Sequence, residues 1–155
     1  MKTILITGAT SGIGLAAAKK LANSKNNLIL CGRRQHKLDE ISNELSKITN
    51  VLSLRFDVSD KKEVNKVLEN IPEEFRSIDI LINNAGNAHG LDTIQDGSLD
   101  DWDNMIDSNV KGLLYVSRVI MPKMIEQQSG HIINIGSLAG REVYEKGNIY
   151  CATKH

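Results

Sequence analysis

A doubly wound, parallel α/β sheet is the fold this sequence predicts, on three observations. Short apolar runs alternate with helical patterns along the whole chain. The runs are continuously apolar, as strands are when helices cover both faces of their sheet. A glycine-rich turn, Gly8 to Gly14, joins the first run directly to the first helical pattern. Strands separated by helices pair in parallel through right-handed crossovers; the expected sheet has five strands, and the order expected for it is 3-2-1-4-5.

Each element has its own signal. Thr3 to Thr7 is a short β-rich run, and an alanine-rich helix follows the glycine turn from about Ile13 to Asn23. Asn27 to Cys31 is the second strand. Lys37 to Ile48 reads as a helix because Leu38, Ile41, Leu45 and Ile48 recur at helical spacing. Val51 to Phe56 is the third strand and ends at Asp57. Asp60 to Asn70 is a helix with Val64, Val67 and Leu68 inward. Ile78 to Ile82 is the fourth strand, ending in Asn83-Asn84-Ala85-Gly86. After a loop from Asn87 to Ser98, Ser98 caps a long helix to about Gln127, with Asp100 and Asp101 in its first turn. Its expected buried stripe is Ile106, Val110, Leu113, Leu114 and Ser117. Gly130 restarts the chain into the fifth strand, Ile132 to Ile135, and a last helix begins at Gly147.

Composition narrows the function. The 155 residues suit a single domain, 1–155, with a real core. Lys+Arg and Asp+Glu both number 19, so bulk charge offers nothing to nucleic acid or to a membrane surface. Two cysteines, Cys31 and Cys151, make neither a disulfide framework nor a metal spacing, and a cytoplasmic setting is expected. His36 and His131 form no metal spacing with each other or with the cysteines. The apolar stretch at Met1 to Thr7 is too short for a signal peptide. No run is long enough to span a membrane.

The chemistry-bearing residues fall at the carboxyl ends of the predicted strands, where such sheets bind ligands. Thr7-Gly8-Ala9-Thr10-Ser11-Gly12-Ile13-Gly14 places glycines at relative positions 1, 5 and 7. Gly8 would make the tight turn, Gly12 would let the backbone approach a pyrophosphate, and Gly14 would let the helix pack on the sheet. The helix N-terminus then offers N–H donors and partial positive charge to phosphates. After the second strand stand Arg33 and Arg34 with no acid. A carboxylate there would bond a ribose 2′-hydroxyl, whereas a guanidinium suits a 2′-phosphate, so NADP(H) is expected over NAD(H). Asp57, followed by Val58, would meet an adenine amino group or cap the next helix. Asn84, Ala85 and Gly86 would let a dinucleotide lie against the backbone. Tyr150 and Lys154 stand four apart, on one face of a helix. A phenol with an ordinary pKa near 10 is a poor acid at neutral pH, and an ammonium within about 4–6 Å favours its ionised form.

Glycine turn, Asn-Asn-Ala-Gly, a serine after the fifth strand and Tyr-x-x-x-Lys occur here in the order of the short-chain dehydrogenase/reductase family, which the chain resembles throughout. The glycine spacing is similar to that of the simple oxidoreductases rather than the sugar-nucleotide epimerases. The stretch from Ile132 through Ser137, Gly140, Arg141 and Glu142 to Lys154 looks most like NADP-dependent 3-hydroxy acid dehydrogenases, which are similar to enzymes acting on serine or allo-threonine. The resemblance implies a Rossmann-like fold and hydride transfer between a nicotinamide and a secondary alcohol or ketone. It assigns Tyr150 as acid/base and Lys154 as the partner that binds the nicotinamide ribose. It assigns Ser137 to the substrate carbonyl and Asn109 to a water of the proton relay. It places the cofactor against Gly8, Thr10, Ser11, Gly12, Ile13, Gly14, Arg33, Arg34, Asp57, Val58, Asn84, Ala85, Gly86, Tyr150 and Lys154. Arg141 would pair with a substrate carboxylate, and His89 would line the substrate mouth or sit on the surface.

Domains of this kind often run to about 200–250 residues, so the chain is expected to be an incomplete copy of the family domain. Its last helix is short and its fifth strand lies on an open edge. The alternative function is therefore a remnant that binds dinucleotide with little or no turnover. Expected partners are a small alcohol or ketone, with no nucleic acid and no membrane. The family's homo-oligomer would pack the long helix against the Tyr-Lys helix, which is cut here.

Overall fold

A computed structural model describes residues 1–155. Five parallel strands, β1 (Lys2–Thr7), β2 (Asn26–Gly32), β3 (Asn50–Arg55), β4 (Ile80–Asn83) and β5 (His131–Asn134), form one sheet in the order β3-β2-β1-β4-β5. The helices are α1 (Gly12–Leu21), α2 (Gln35–Leu45), α3 (Lys61–Glu69), α4 (Leu99–Ile106), α5 (Leu113–Glu126) and α6 (Asn148–Lys154). This is the Rossmann-like topology expected from the alternation of elements.

Strand alternation decides which helix covers which face. Successive side chains of a strand point to opposite faces. Ile4 and Ile6 of β1 and Leu28 and Leu30 of β2 pack with Ala18 of α1 and Leu38, Ile41 and Leu45 of α2. Leu5, Ile29 and Cys31 point the other way, onto Val64 and Leu68 of α3 and Val116, Ile120 and Met124 of α5. Both faces are therefore dry, which is why these strands read as unbroken apolar runs.

Helix starts follow their caps. The Asp60 carboxylate accepts the Lys62 and Glu63 N–H groups at the head of α3, at 2.8 and 3.0 Å. Ser98 accepts the Asp101 N–H at the head of α4. Ser11 at α1 and Gly147 at α6 supply no side-chain cap. The first-turn N–H groups of α1 are thus left open where phosphates would be met.

Three sequence expectations need correction. Ile48 falls outside α2, in the turn after it, and is exposed, because the helix stops at Leu45. The long helix is interrupted by a π-helical segment, Asp107–Gly112, which separates α4 from α5. Its buried line is Met105, Asn109, Gly112, Val116, Ile120 and Met124, with Ser117 beside it. Val110 and Leu114 are 37% and 56% exposed, so they do not form the inward stripe. This helix carries apolar residues on two faces, and periodicity does not say which one meets the sheet. The face bearing the small Gly112 does, since a side chain there would come 2.8 Å from Val58 Cγ2.

Candidate active site

In the order β3-β2-β1-β4-β5 successive strands are added outward on one side of β1 and then, from β4, on the other, and a crevice opens between the carboxyl ends of β1 and β4. The residues after Thr7 and Asn83 meet there. Thr7 Oγ1 accepts the backbone N–H groups of Asn84 and Ala85, both at 3.0 Å. Asn84 Nδ2 donates to the carbonyls of Thr7 and Gly8, at 2.9 and 3.1 Å. Asn83 Nδ2 reaches the other way, to Ser117 Oγ and Asn134 Oδ1, both at 2.9 Å. Asn84 thus ties the end of β4 to the turn after β1, while Asn83 ties it to α5 and β5 rather than to a loop.

The three glycines of the first turn do different work. Gly8 has φ +65°, and a side chain on it would lie 2.9 Å from Ala85 Cα. Gly12 has φ +54°, and no atom stands within 4 Å of where its side chain would be. Its backbone faces the open cleft bare. Gly14 is packed against the Gly8 carbonyl and Asn84, and takes no part in lining the cleft. That is the close helix packing expected of the third glycine.

Beside this turn the chain collects positive charge. Arg34 is the N-cap residue of α2, and its guanidinium crosses to Thr10 Oγ1 at 2.8 Å and Ser11 Oγ at 3.1 Å. Neither hydroxyl neutralises it. A cation at a helix N-terminus is unfavourable by itself, and here it lies near the open N-terminus of α1 as well. Arg33 makes a 3.4 Å contact with Asp57 Oδ2. Burial raises the pKa of Asp57. The Ser59 N–H and hydroxyl, both bonded to Oδ1, and the Arg33 charge outweigh that, holding the carboxyl below its ordinary value.

The far end of the cleft is built by β5 and α6. Lys154 Nζ donates to the Ile135 carbonyl at 3.1 Å. Tyr150, one turn earlier on α6, opens onto the same cleft. Ser137 begins a 3-10 turn, Leu138–Gly140, and its Oγ accepts the Ala139 N–H at 3.2 Å. Its own hydroxyl hydrogen is left available to donate. Asn109, buried in the π segment, is fully engaged: Oδ1 accepts the Asn87 N–H at 2.8 Å, while Nδ2 donates to the Asn87 carbonyl and Thr153 Oγ1, both at 2.9 Å. Its amide is a clamp: both Nδ2 hydrogens are used, and Oδ1 keeps one lone pair for a further donor.

Together these residues line one cleft of about 590 Å³, within the size range of cofactor sites. It contains Gly8, Thr10, Ser11, Gly12, Ile13, Arg33, Arg34, Asp57, Val58, Asn84, Ala85, Gly86, Tyr150 and Lys154. Ser137 and Asn109 are not among the lining residues, but their chain neighbours Gly136 and Ser108 are. The sequence did not point to Cys31, Gly32, Phe56, Asn87, Ala88, Ser108, Ile135 and Gly136, which also line the cleft. Cys31, Gly32, Phe56 and Ile135 lie at strand ends, a signal that was available. Asn87 and Ser108 meet only because the loop after β4 packs on the π segment, with Asn87 Nδ2 donating to Ser108 Oγ at 3.0 Å. Cys31 is wholly buried, and burial pushes its thiol pKa up. His89 is exposed, with its backbone N–H on Met105 Sδ. Trp102 packs on Gly97. The Arg141 side chain is exposed. No helix is long and apolar enough to cross a membrane.

Fold, glycine turn and Tyr-Lys helix together place the chain in the short chain dehydrogenase family, whose pattern matches residues 2–155. Among its relatives is an NADP-dependent 3-hydroxy acid dehydrogenase of Schizosaccharomyces pombe, 48% identical over 156 residues, covering 99% of this chain and 60% of that protein. Another of the same name, from Salmonella typhi, is 42% identical over 151 residues, covering 97% and 60%. A serine dehydrogenase in its closed form, complexed with NADP+, superposes with a TM-score of 0.94 at 42% identity, covering 98% of this chain and 60% of that one. The chain thus spans about 60% of the length of these relatives.

Proposed function

We propose that this chain carries the cofactor cleft and proton-donating residues of an NADP(H)-dependent oxidoreductase, acting between a secondary alcohol and a ketone, with 3-hydroxy acids as the substrate class. The observation that carries the reading is the single cleft running from the bare backbone at Gly12, past the Arg34 guanidinium, to Tyr150 and Lys154. The donor set fits a phosphorylated dinucleotide. Open N–H groups at α1 suit a pyrophosphate, and Arg33 and Arg34 suit a further phosphate on the ribose.

When bound, the nicotinamide supplies or takes up the hydride. The chain's own residues manage charge and protons. As a ketone is reduced its oxygen gains negative charge, and preorganised donors aimed there lower the barrier. The Tyr150 hydroxyl gives that oxygen its proton. The Ser137 hydroxyl, which accepts the Ala139 N–H through one of its lone pairs, donates a hydrogen bond to the same oxygen. Lys154, held on the Ile135 carbonyl, keeps a positive charge at this end of the cleft. The substrate class rests on the names of the relatives from Schizosaccharomyces pombe and Salmonella typhi.

The test is NADPH absorbance in the presence of ketones and 3-oxo acids, and the reverse reaction with 3-hydroxy acids and NADP+. Turnover of the 3-oxo acids supports the proposal. NADPH binding without turnover of any substrate would leave a dinucleotide-binding module. Calorimetry should give at least ~10-fold tighter binding of NADPH than NADH, about 1.4 kcal/mol. Equal affinities would remove the role given to the arginines.

A further inference from the structure

We infer that Thr153 is a positioning residue, whose hydroxyl holds the turn of α6 that presents Tyr150 and Lys154; the link to chemistry rests on the function proposed above. Helix α6 follows Gly147, which supplies no side-chain cap to its first turn. A helix start without a cap depends on tertiary anchors for its position. Yet α6 carries both residues that close the far end of the cleft. Its head is tied by Asn148 Nδ2 to the Asp92 carbonyl, at 3.0 Å. Its tail is tied by Lys154 to Ile135. Between them stands Thr153. Its Oγ1 accepts from Asn109 Nδ2 and donates to the Tyr150 carbonyl, both at 2.9 Å.

Asn109 is a rigid anchor. It sits in the π segment, is buried, and grips the N–H and the carbonyl of Asn87 at once. A continuous path of hydrogen bonds therefore runs from the Asn87 backbone through Asn109 and Thr153 to the Tyr150 backbone. The wall of the cleft after β4 and the helix bearing the proton donor are held in one register. Without the hydroxyl, one Asn109 N–H loses its partner beside a buried site, and the loss falls on the turn that aims the phenol. Misplacement on the scale of an ångström at a reacting group costs orders of magnitude in rate.

The variants are Thr153→Val, which keeps the shape and removes the hydroxyl, and Thr153→Ser, which restores it. Four quantities are read: kcat and KM with a ketone, NADPH affinity, and amide hydrogen exchange along 148–154. Thr153→Val should lower kcat at least ~10-fold while KM and NADPH affinity stay within about twofold. Exchange in α6 should quicken about tenfold with the sheet amides unchanged, and Thr153→Ser should recover both. The inference falls if Thr153→Val matches the wild type in kcat and exchange, or if Thr153→Ser is as impaired as Thr153→Val. It also falls if NADPH affinity drops in step with kcat, or if exchange quickens uniformly through the sheet. Should Thr153→Val fail to fold, Thr153→Ala carries the same readouts. If the wild type binds NADPH but turns nothing over, the exchange data still decide the role of Thr153, and only the proposed function is lost.

Discussion

Lys154 Nζ lies on the Ile135 carbonyl at 3.1 Å, so the end of α6 is fastened to the residue that follows β5. That position is crowded from below by Gly86. A side chain on Gly86 would stand 3.4 Å from Lys154 Nζ and 2.9 Å from Asn109 Oδ1. Gly86→Ala must push the amide clamp or the ammonium aside. We expect a loss of about 1–3 kcal/mol in urea unfolding, the ordinary penalty of overpacking, together with a marked fall in kcat. Wild-type stability and turnover in Gly86→Ala would show that the clamp and the ammonium move freely.

Arg34 gives a prediction about affinity alone. Its guanidinium rests on two neutral hydroxyls, Thr10 and Ser11, so its charge is uncompensated. Arg34→Ala should weaken NADPH about tenfold or more and leave NADH nearly unchanged, since charged hydrogen bonds are worth about 1.5–3 kcal/mol. The wild-type preference should also shrink with added salt, as the contact is partly exposed. Calorimetry of both nucleotides at low and high salt checks this. An equal loss for NADH would place Arg34 elsewhere than on a 2′-phosphate.

Asp57 supplies a pH dependence. Its folded pKa lies below the ordinary value of 3.8, because Ser59 and Arg33 stabilise the carboxylate more than burial opposes it. A carboxyl depressed in the folded state takes up its proton first in the unfolded chain. The stability it contributes is therefore complete above the unfolded pKa and is lost as pH falls through the folded one. Urea midpoints for the wild type and Asp57→Asn should differ at neutral pH and converge below about pH 4. A gap that persists unchanged into that range would mean that charge on Asp57 contributes nothing.

How far the sequence discloses this site depends on where each residue gets its position. Gly8, Gly12, Arg33, Arg34 and Asp57 sit at strand ends and turns, and local pattern was enough to put them at one edge of the sheet. Tyr150 and Lys154 are related by helical spacing, which is also local. Asn87, Ser108 and Thr153 meet through packing between a loop, a π segment and a short helix, and no periodicity encodes that meeting. The π segment itself explains the misread stripe: Met105, Asn109, Gly112 and Val116 face inward while the more apolar-looking Val110 and Leu114 face out. Gly14 carried the right motif letter for a packing reason, its closeness to the Gly8 carbonyl.

In the proposed reaction Tyr150 gives the proton, and its variant separates that step from binding. Removing one oxygen in Tyr150→Phe leaves the ring in the cleft wall and the helix backbone as it was, including the Tyr150 carbonyl that accepts from Thr153. NADPH affinity should stay within about twofold. Turnover should fall by about 10²–10⁴-fold, the usual contribution of a positioned acid. Ser137→Ala should fall less, because the serine stabilises charge without supplying the proton. The two variants thus rank the groups: a donor of protons is worth more than a donor of hydrogen bonds alone. Stopped-flow binding and steady-state rates on both proteins measure the order. If Tyr150→Phe keeps its activity while Ser137→Ala loses it, the proton comes from the serine side of the cleft and the tyrosine serves only as wall.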